Sequence, residues 1–312
     1  MVSEKYIALL LLLLAGCGGD HLNDDIPLPD AGSEAVSGGG YNPGPGGSNS
    51  TGSVAKTGER YTTTSGGAFY ALKKVSLSFS YSEYLTGTAA YGGTIYLATR
   101  QYLVSGTQYR IYSLSNGSST QSLQCSWIHY GTTMDGLGVD DSYFYFIEGY
   151  NATSLKRFSR SGCGSSSSIS VPGAPFPGDP FTISGGKVYY GGAPGGSVYG
   201  PQYLLESPLG GGSLNTILSE TIFGSYTTSW STLKGIAEAN SYKWAIFSHD
   251  YQSYALWQFS ESGARSVGKI PSQVLGTYLY YPTDLIPISN TELVLVIGGS
   301  STHLIYLDVE GF

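Results

Sequence analysis

Three acids in this chain share one offset. Asp135, Asp179 and Asp284 each lie nine residues before an apolar residue (Phe144, Val188 and Leu293) that belongs to a short hydrophobic run. Carboxylates repeated at one position of successive structural units can converge on a common axis. There they would hold a hard cation such as calcium, or a polar ligand. A plainer reading stands beside this one: each Asp accepts hydrogen bonds from backbone N–H groups at the turn entering its own strand. The plainer reading is preferred. Two matching positions carry Thr86 and Gly235, and Lys234, next to the latter, would offset part of the acidic charge. No cofactor is therefore expected, and calcium is the ion the acids would suit if they met.

Other candidates fall in segments expected to be loops on the same face as the acids: Arg100, Glu148, and the neighbours His249 and Asp250. Adjacent residues on an extended chain point to opposite sides, so His249 and Asp250 are not a catalytic dyad. The spacings Gly-x-Ser-x-Gly, His-Glu-x-x-His and the EF-hand loop do not occur, so no catalytic residue is assigned. Tyr102, Tyr150, Tyr199 and Tyr251 fall in the same loops. Tyr beside Ser and Gly makes adaptable contact area for proteins or sugars.

These side chains need a scaffold that repeats. With 45 Gly and 27 Tyr but only 12% charged residues, the composition favours strands and tight turns. A short apolar strand recurs around Ile95, Phe144, Val188, Trp244 and Leu293, at spacings of 49, 44, 56 and 49 residues. Each copy is followed by a further strand, as at Arg110–Leu114, Leu155–Phe158 and Leu304–Leu307. Four copies are preceded by a fainter one, as at Gly136–Val139. A polar outer strand is expected at Ser118–Leu123. Periods of this length with several strands each predict an all-β fold, a five-bladed β-propeller. Its last copy lacks an outer strand, and a strand from Phe69–Leu72 or Val75–Phe79 is expected to close the ring and remove the open edge. The acids then fall at the start of the innermost strands.

Phe144-Tyr145-Phe146-Ile147-Glu148 with Leu155-Lys156-Arg157, and Leu304 to Gly311, resemble the repeats of bacterial lipoproteins with Tyr-rich propellers, and more distantly the YWTD type of blade. The resemblance implies the propeller fold; propellers host many unrelated functions, so it implies no activity.

The N-terminus carries Lys5, an apolar stretch ending in six leucines (Leu9 to Leu14), then Ala15-Gly16-Cys17. So short a run is an export signal rather than a membrane-spanning helix. Leu14-Ala15-Gly16-Cys17 resembles the bacterial lipobox, which implies that Cys17 is acylated and becomes the first residue of the mature chain. Gly18 follows, not an Asp of the kind linked to inner-membrane retention, which implies the outer membrane or cell surface. Residues 1–16 are thus expected to be a lipoprotein signal peptide, 17–58 a disordered Gly/Ser/Pro-rich tether, and 59–312 the propeller. Cys125 and Cys163 remain as an even pair in an exported chain, and the repeat places both near neighbouring blade rims, so a disulfide is expected. A net charge of −7 without a basic cluster argues against nucleic acid. The leading expectation is a membrane-anchored module of the cell envelope that binds a protein or glycan. The alternative is a metal-dependent hydrolase or lyase using the acids at the channel mouth.

Overall fold

Apolar runs that do not alternate need cover on both faces, and here each such strand is sandwiched between neighbouring sheets. The computed structural model describes residues 58–63, 68–149, 154–172, 180–192, 203–218, 233–239, 242–248, 254–260, 263–279, 282–289, 291–298 and 301–309. All belong to the unit Pro45–Phe312, and every regular element among them is a strand. Residues 1–57, with Cys17 and most of the expected tether, lie outside them.

Four sheets have four antiparallel strands each, joined in simple up-and-down order. The first holds β3 (Glu83–Tyr91), β4 (Thr94–Leu103), β5 (Gly106–Ser115) and β6 (Ser122–His129). The second holds β7 (Met134–Val139), β8 (Tyr143–Glu148), β9 (Ser154–Ser159) and β10 (Ser166–Ser170). The third holds β11 (Phe181–Ser184), β12 (Lys187–Gly192), β13 (Tyr203–Pro208) and β14 (Asn215–Leu218). The fourth holds β15 (Leu233–Ala239), β16 (Tyr242–Ser248), β17 (Tyr254–Ser260) and β18 (Gly263–Ile270). A small hairpin, β19 (Gln273–Val274) with β20 (Thr277–Tyr278), precedes β21 (Pro282–Pro287), β22 (Glu292–Ile297) and β23 (Thr302–Asp308). These last three join β1 (Glu59–Thr62) and β2 (Ala68–Leu77) in one sheet ordered β1-β2-β23-β22-β21.

The expectation of a five-bladed propeller is corrected by this topology. The propeller arrangement has four four-stranded blades. The sheet that ends the chain is not a fifth blade of that kind but a five-stranded composite, because two N-terminal strands add to three C-terminal ones. The pairing of β2 with β23 covers an edge that would otherwise be open. Phe69–Leu72 and the first three residues of Val75–Phe79 lie in the single strand β2, which ends at Leu77, and β1 adds outside it.

The first strands β3, β7, β11 and β15 of the four blades and β21 of the composite sheet touch in that cyclic order around a common axis. Their approach is close enough to demand glycine at two positions. A Cβ on Gly87 of β3 would lie 2.2 Å from the Gly136 carbonyl carbon in β7, and one on Gly235 of β15 would lie 2.4 Å from the Leu285 nitrogen in β21.

Buried side chains gather between sheets. Tyr96, Tyr109 and Ile111 of the first blade pack with Phe144, Phe146 and Phe158 of the second. Ile95 and Leu97, on the opposite side of β4, pack with Val294, Val296 and Leu304 of the composite sheet. Each such side chain contributes about 1.5–3 kcal/mol by leaving water.

One local expectation is corrected. The outer strand of the first blade is β6, which begins at Ser122 rather than running over Ser118–Leu123. The inner strand of that blade, β3, carries exposed Tyr84 and half-buried Thr86 and Gly87, so it lacks the apolar pattern that marks its counterparts.

Candidate binding site

Alternation along the strands of the first blade lines up one set of side chains toward the second blade. Tyr84, Arg100, Tyr109 and Trp127 are cross-strand partners on successive strands, and Tyr102, Thr107 and His129 form the next rung but one on the same side. Tyr109 and Trp127 stack at 5.5 Å, and Phe146 of the second blade packs edge-on to both. This aromatic layer closes the cleft between the two blades. Above it the side chains turn polar.

At the mouth of that cleft Arg100 Nη1 donates to Asp135 Oδ1 at 2.5 Å, with both side chains about one-fifth exposed. The Tyr109 hydroxyl oxygen accepts from the Met134 backbone N–H at 2.7 Å. Burial is the largest influence on this hydroxyl and pushes its pKa above the usual tyrosine value. His129 Nε2 lies 3.2 Å from Glu148 Oε1, and Lys156 Nζ lies 3.4 Å from Glu148 Oε2. Deeper in the cleft a disulfide joins Cys125 of β6 to Cys163 in the turn after β9, with Cα atoms 6.1 Å apart. The two blades are thus held together by a covalent bond, an aromatic layer and a polar rim.

The rim is also where the exposed apolar surface is concentrated. Among the described residues, ten large hydrophobic side chains stand exposed, and seven of them (Tyr81, Tyr84, Tyr102, Leu103, Val104, Ile128 and Tyr130) lie at the end of the first blade where β3 begins, β4 turns into β5 and β6 ends. Tyr84 and Tyr102, each 56% exposed, have ring centroids 6.5 Å apart, and the Arg100 guanidinium lies 5.4 Å from the Tyr102 ring. Leu103, Val104, Ile128 and Tyr130 continue the surface around the β4–β5 turn. Counted from Ile95 and Phe144, β4 runs four residues further than β8, roughly 13 Å of strand at about 3.3 Å per residue. The first blade therefore carries its exposed side chains on longer strands than the second.

The sequence-derived candidates are only partly brought together. Arg100 and Tyr102 are not in a loop: both lie in β4, and Glu148 is the last residue of β8. Those expectations are corrected, because the strands extend past the point where the apolar pattern ends. Asp135 meets Arg100. Asp284 lies instead on the other side of the first blade, 7% exposed, where it accepts from the Thr88 hydroxyl at 2.6 Å and from the Leu285 N–H at 2.8 Å. Burial dominates and raises the Asp284 carboxyl from 3.8 to about 7, against the opposing effect of these donors. The two acids thus bind opposite sides of the first blade. Asp179, His249, Asp250, Tyr150, Tyr199 and Tyr251 lie outside the described residues. Among those described, no group of three His, Cys, Asp or Glu side chains is placed to hold a metal ion.

Sequence reasoning missed Tyr84, Thr88, Tyr109, Trp127 and His129. The spacing of two in Arg100/Tyr102 and Trp127/His129 was the available signal. It says that each pair shares a sheet face, but not which neighbouring sheet that face meets.

No family model and no curated protein matches the chain. Among solved structures, a structural-genomics protein of unknown function from Bacteroides thetaiotaomicron VPI-5482 is similar at 12% identity, covering 80% of this chain and 74% of that one, with a TM-score of 0.44. A thermostable family-43 glycoside hydrolase is similar at 13% identity, over 74% of this chain and 94% of that one, with a TM-score of 0.44. A polysaccharide lyase matches at 11% identity, over 71% of this chain and 57% of its own, with a TM-score of 0.38. At such identities and scores, none of these likenesses assigns an activity to this chain.

Proposed function

We propose that this chain is a binding module of the bacterial cell envelope, held to the outer membrane or cell surface through Cys17, that recognises a glycan at the cleft mouth between its first two blades. One observation carries the proposal: exposed Tyr84 and Tyr102 flank the part-buried Arg100–Asp135 pair. A sugar ring offers an apolar C–H face and a set of hydroxyls. Aromatic rings take the first at little ordering cost, and a charged pair that both donates and accepts takes the second.

The test is a glycan array probed with the full-length protein and its Tyr102→Ala and Arg100→Ala variants. Binding that falls about tenfold or more in each folded variant supports the proposal. A blank array refutes the glycan reading, and a pull-down that then recovers a protein partner dependent on Tyr102 reassigns the rim to protein recognition. The metal-dependent hydrolase or lyase reading would require Asp135 and Asp284 to leave Arg100 and Thr88. Melting the protein with and without chelator decides it: an unchanged midpoint removes the metal.

A further inference from the structure

We propose that the opposite end of the central channel is a second binding site, for a neutral, hydroxyl-rich molecule of monosaccharide size. At that end the inner strands turn into their neighbours around a cavity of about 250 Å³, to which all four blades and the composite sheet contribute. Its lining includes Tyr91, Asp140, Thr182, Ser184, Glu238 and Pro287.

The two acids differ in what they have left to offer. Asp140 is fully used by its own turn: Oδ1 accepts from the Ser142 and Tyr143 N–H groups, and Oδ2 accepts from the Tyr145 hydroxyl. Glu238 of β15 is not. Its Oε1 lies 3.7 Å from Lys243 Nζ, whereas its Oε2 is buried without a hydrogen-bond partner among the described residues. A buried carboxylate oxygen without a donor is costly, and because Oε2 is not itself exposed to the cavity, a turn of the Glu238 carboxylate toward a ligand hydroxyl there is what would recover a charge-assisted hydrogen bond.

Thr182 and Ser184, two apart on β11, share one strand face and add two hydroxyls that both donate and accept. Tyr91 and Pro287 supply apolar wall. One free carboxylate oxygen falls far short of the six to eight oxygens a calcium ion takes, and Lys243 already offsets the charge, so a donor-bearing neutral ligand suits the cavity better than a cation. The volume lies below the range typical of drug-sized ligands, which favours a single sugar ring over an oligosaccharide.

Isothermal titration of D-glucose, D-galactose and N-acetylglucosamine into the full-length protein tests this site separately from the rim. At least one of the three is expected to bind. Its affinity should fall about tenfold or more in Glu238→Gln, fall in Ser184→Ala, and stay unchanged in Tyr102→Ala. Absence of binding by all three sugars overturns the proposal, as does binding indifferent to both channel variants. Loss in Tyr102→Ala alone overturns it too, while leaving the rim site standing. Should Glu238→Gln fail to fold by thermal melt, Ser184→Ala carries the decision.

Discussion

Asp284→Asn separates a buried carboxyl from its neutral counterpart without changing its shape. Asp284 is buried between β21 and β3, and burial raises its pKa from 3.8 to about 7. Below pH 3.8 the carboxyl is protonated in the folded and unfolded chains alike, and burial carries no ionic cost. Between 3.8 and about 7 the folded chain binds the extra proton, so stability falls as pH rises. Above about 7 both forms are ionised and the whole cost stands, about 4 kcal/mol at roughly 1.4 kcal/mol per pH unit.

The asparagine variant does not titrate. It carries a fixed penalty of about 1–3 kcal/mol, because its amide cannot accept every hydrogen bond the carboxyl accepts. Asp284→Asn should therefore be less stable than wild type at pH 4 and more stable at pH 8, the difference swinging by about 4 kcal/mol. Urea unfolding of both proteins at intervals from pH 4 to pH 8 measures it. Parallel stability curves would refute the reasoning: the donors from Thr88 and Leu285 would then outweigh burial and keep the carboxylate charged at its ordinary pKa.

Three further outcomes are expected. Thiol labelling of denatured, unreduced protein should modify neither Cys125 nor Cys163, and reduction should lower stability by about 2–4 kcal/mol by freeing a crosslink across 38 residues. Gly87→Ala should cost more than 3 kcal/mol or abolish folding, since its Cβ would overlap Gly136, whereas Gly162→Ala, with open space around it, should shift the melting temperature little. Cys17→Ser should yield protein without acyl mass that leaves the membrane fraction. Mass spectrometry showing a mature chain that begins elsewhere and carries no lipid would overturn the lipobox reading.

The repeat was legible in the sequence because a strand covered on both faces must be apolar throughout. Phe144–Ile147 and Leu293–Ile297 are buried without interruption, so they stood out against a Gly- and Ser-rich background. The inner strand β3 was not legible, since its start faces the rim and its middle needs Gly87 for close approach. The number of strands in the last sheet was also hidden. Pairing of β2 with β23 joins residues more than 200 positions apart, and β1 pairs in turn with β2.

The acids show the same division most clearly. Their offset of nine residues was visible, and it implied one shared environment. The tertiary structure gives the two described acids different ones: Asp135 reaches a guanidinium at a part-exposed rim, and Asp284 meets a hydroxyl in a buried seam. Sequence spacing determines which strand position a side chain occupies. The neighbouring sheet supplies the charge and the dielectric that decide what the side chain does, and that neighbour is chosen only when the sheets assemble.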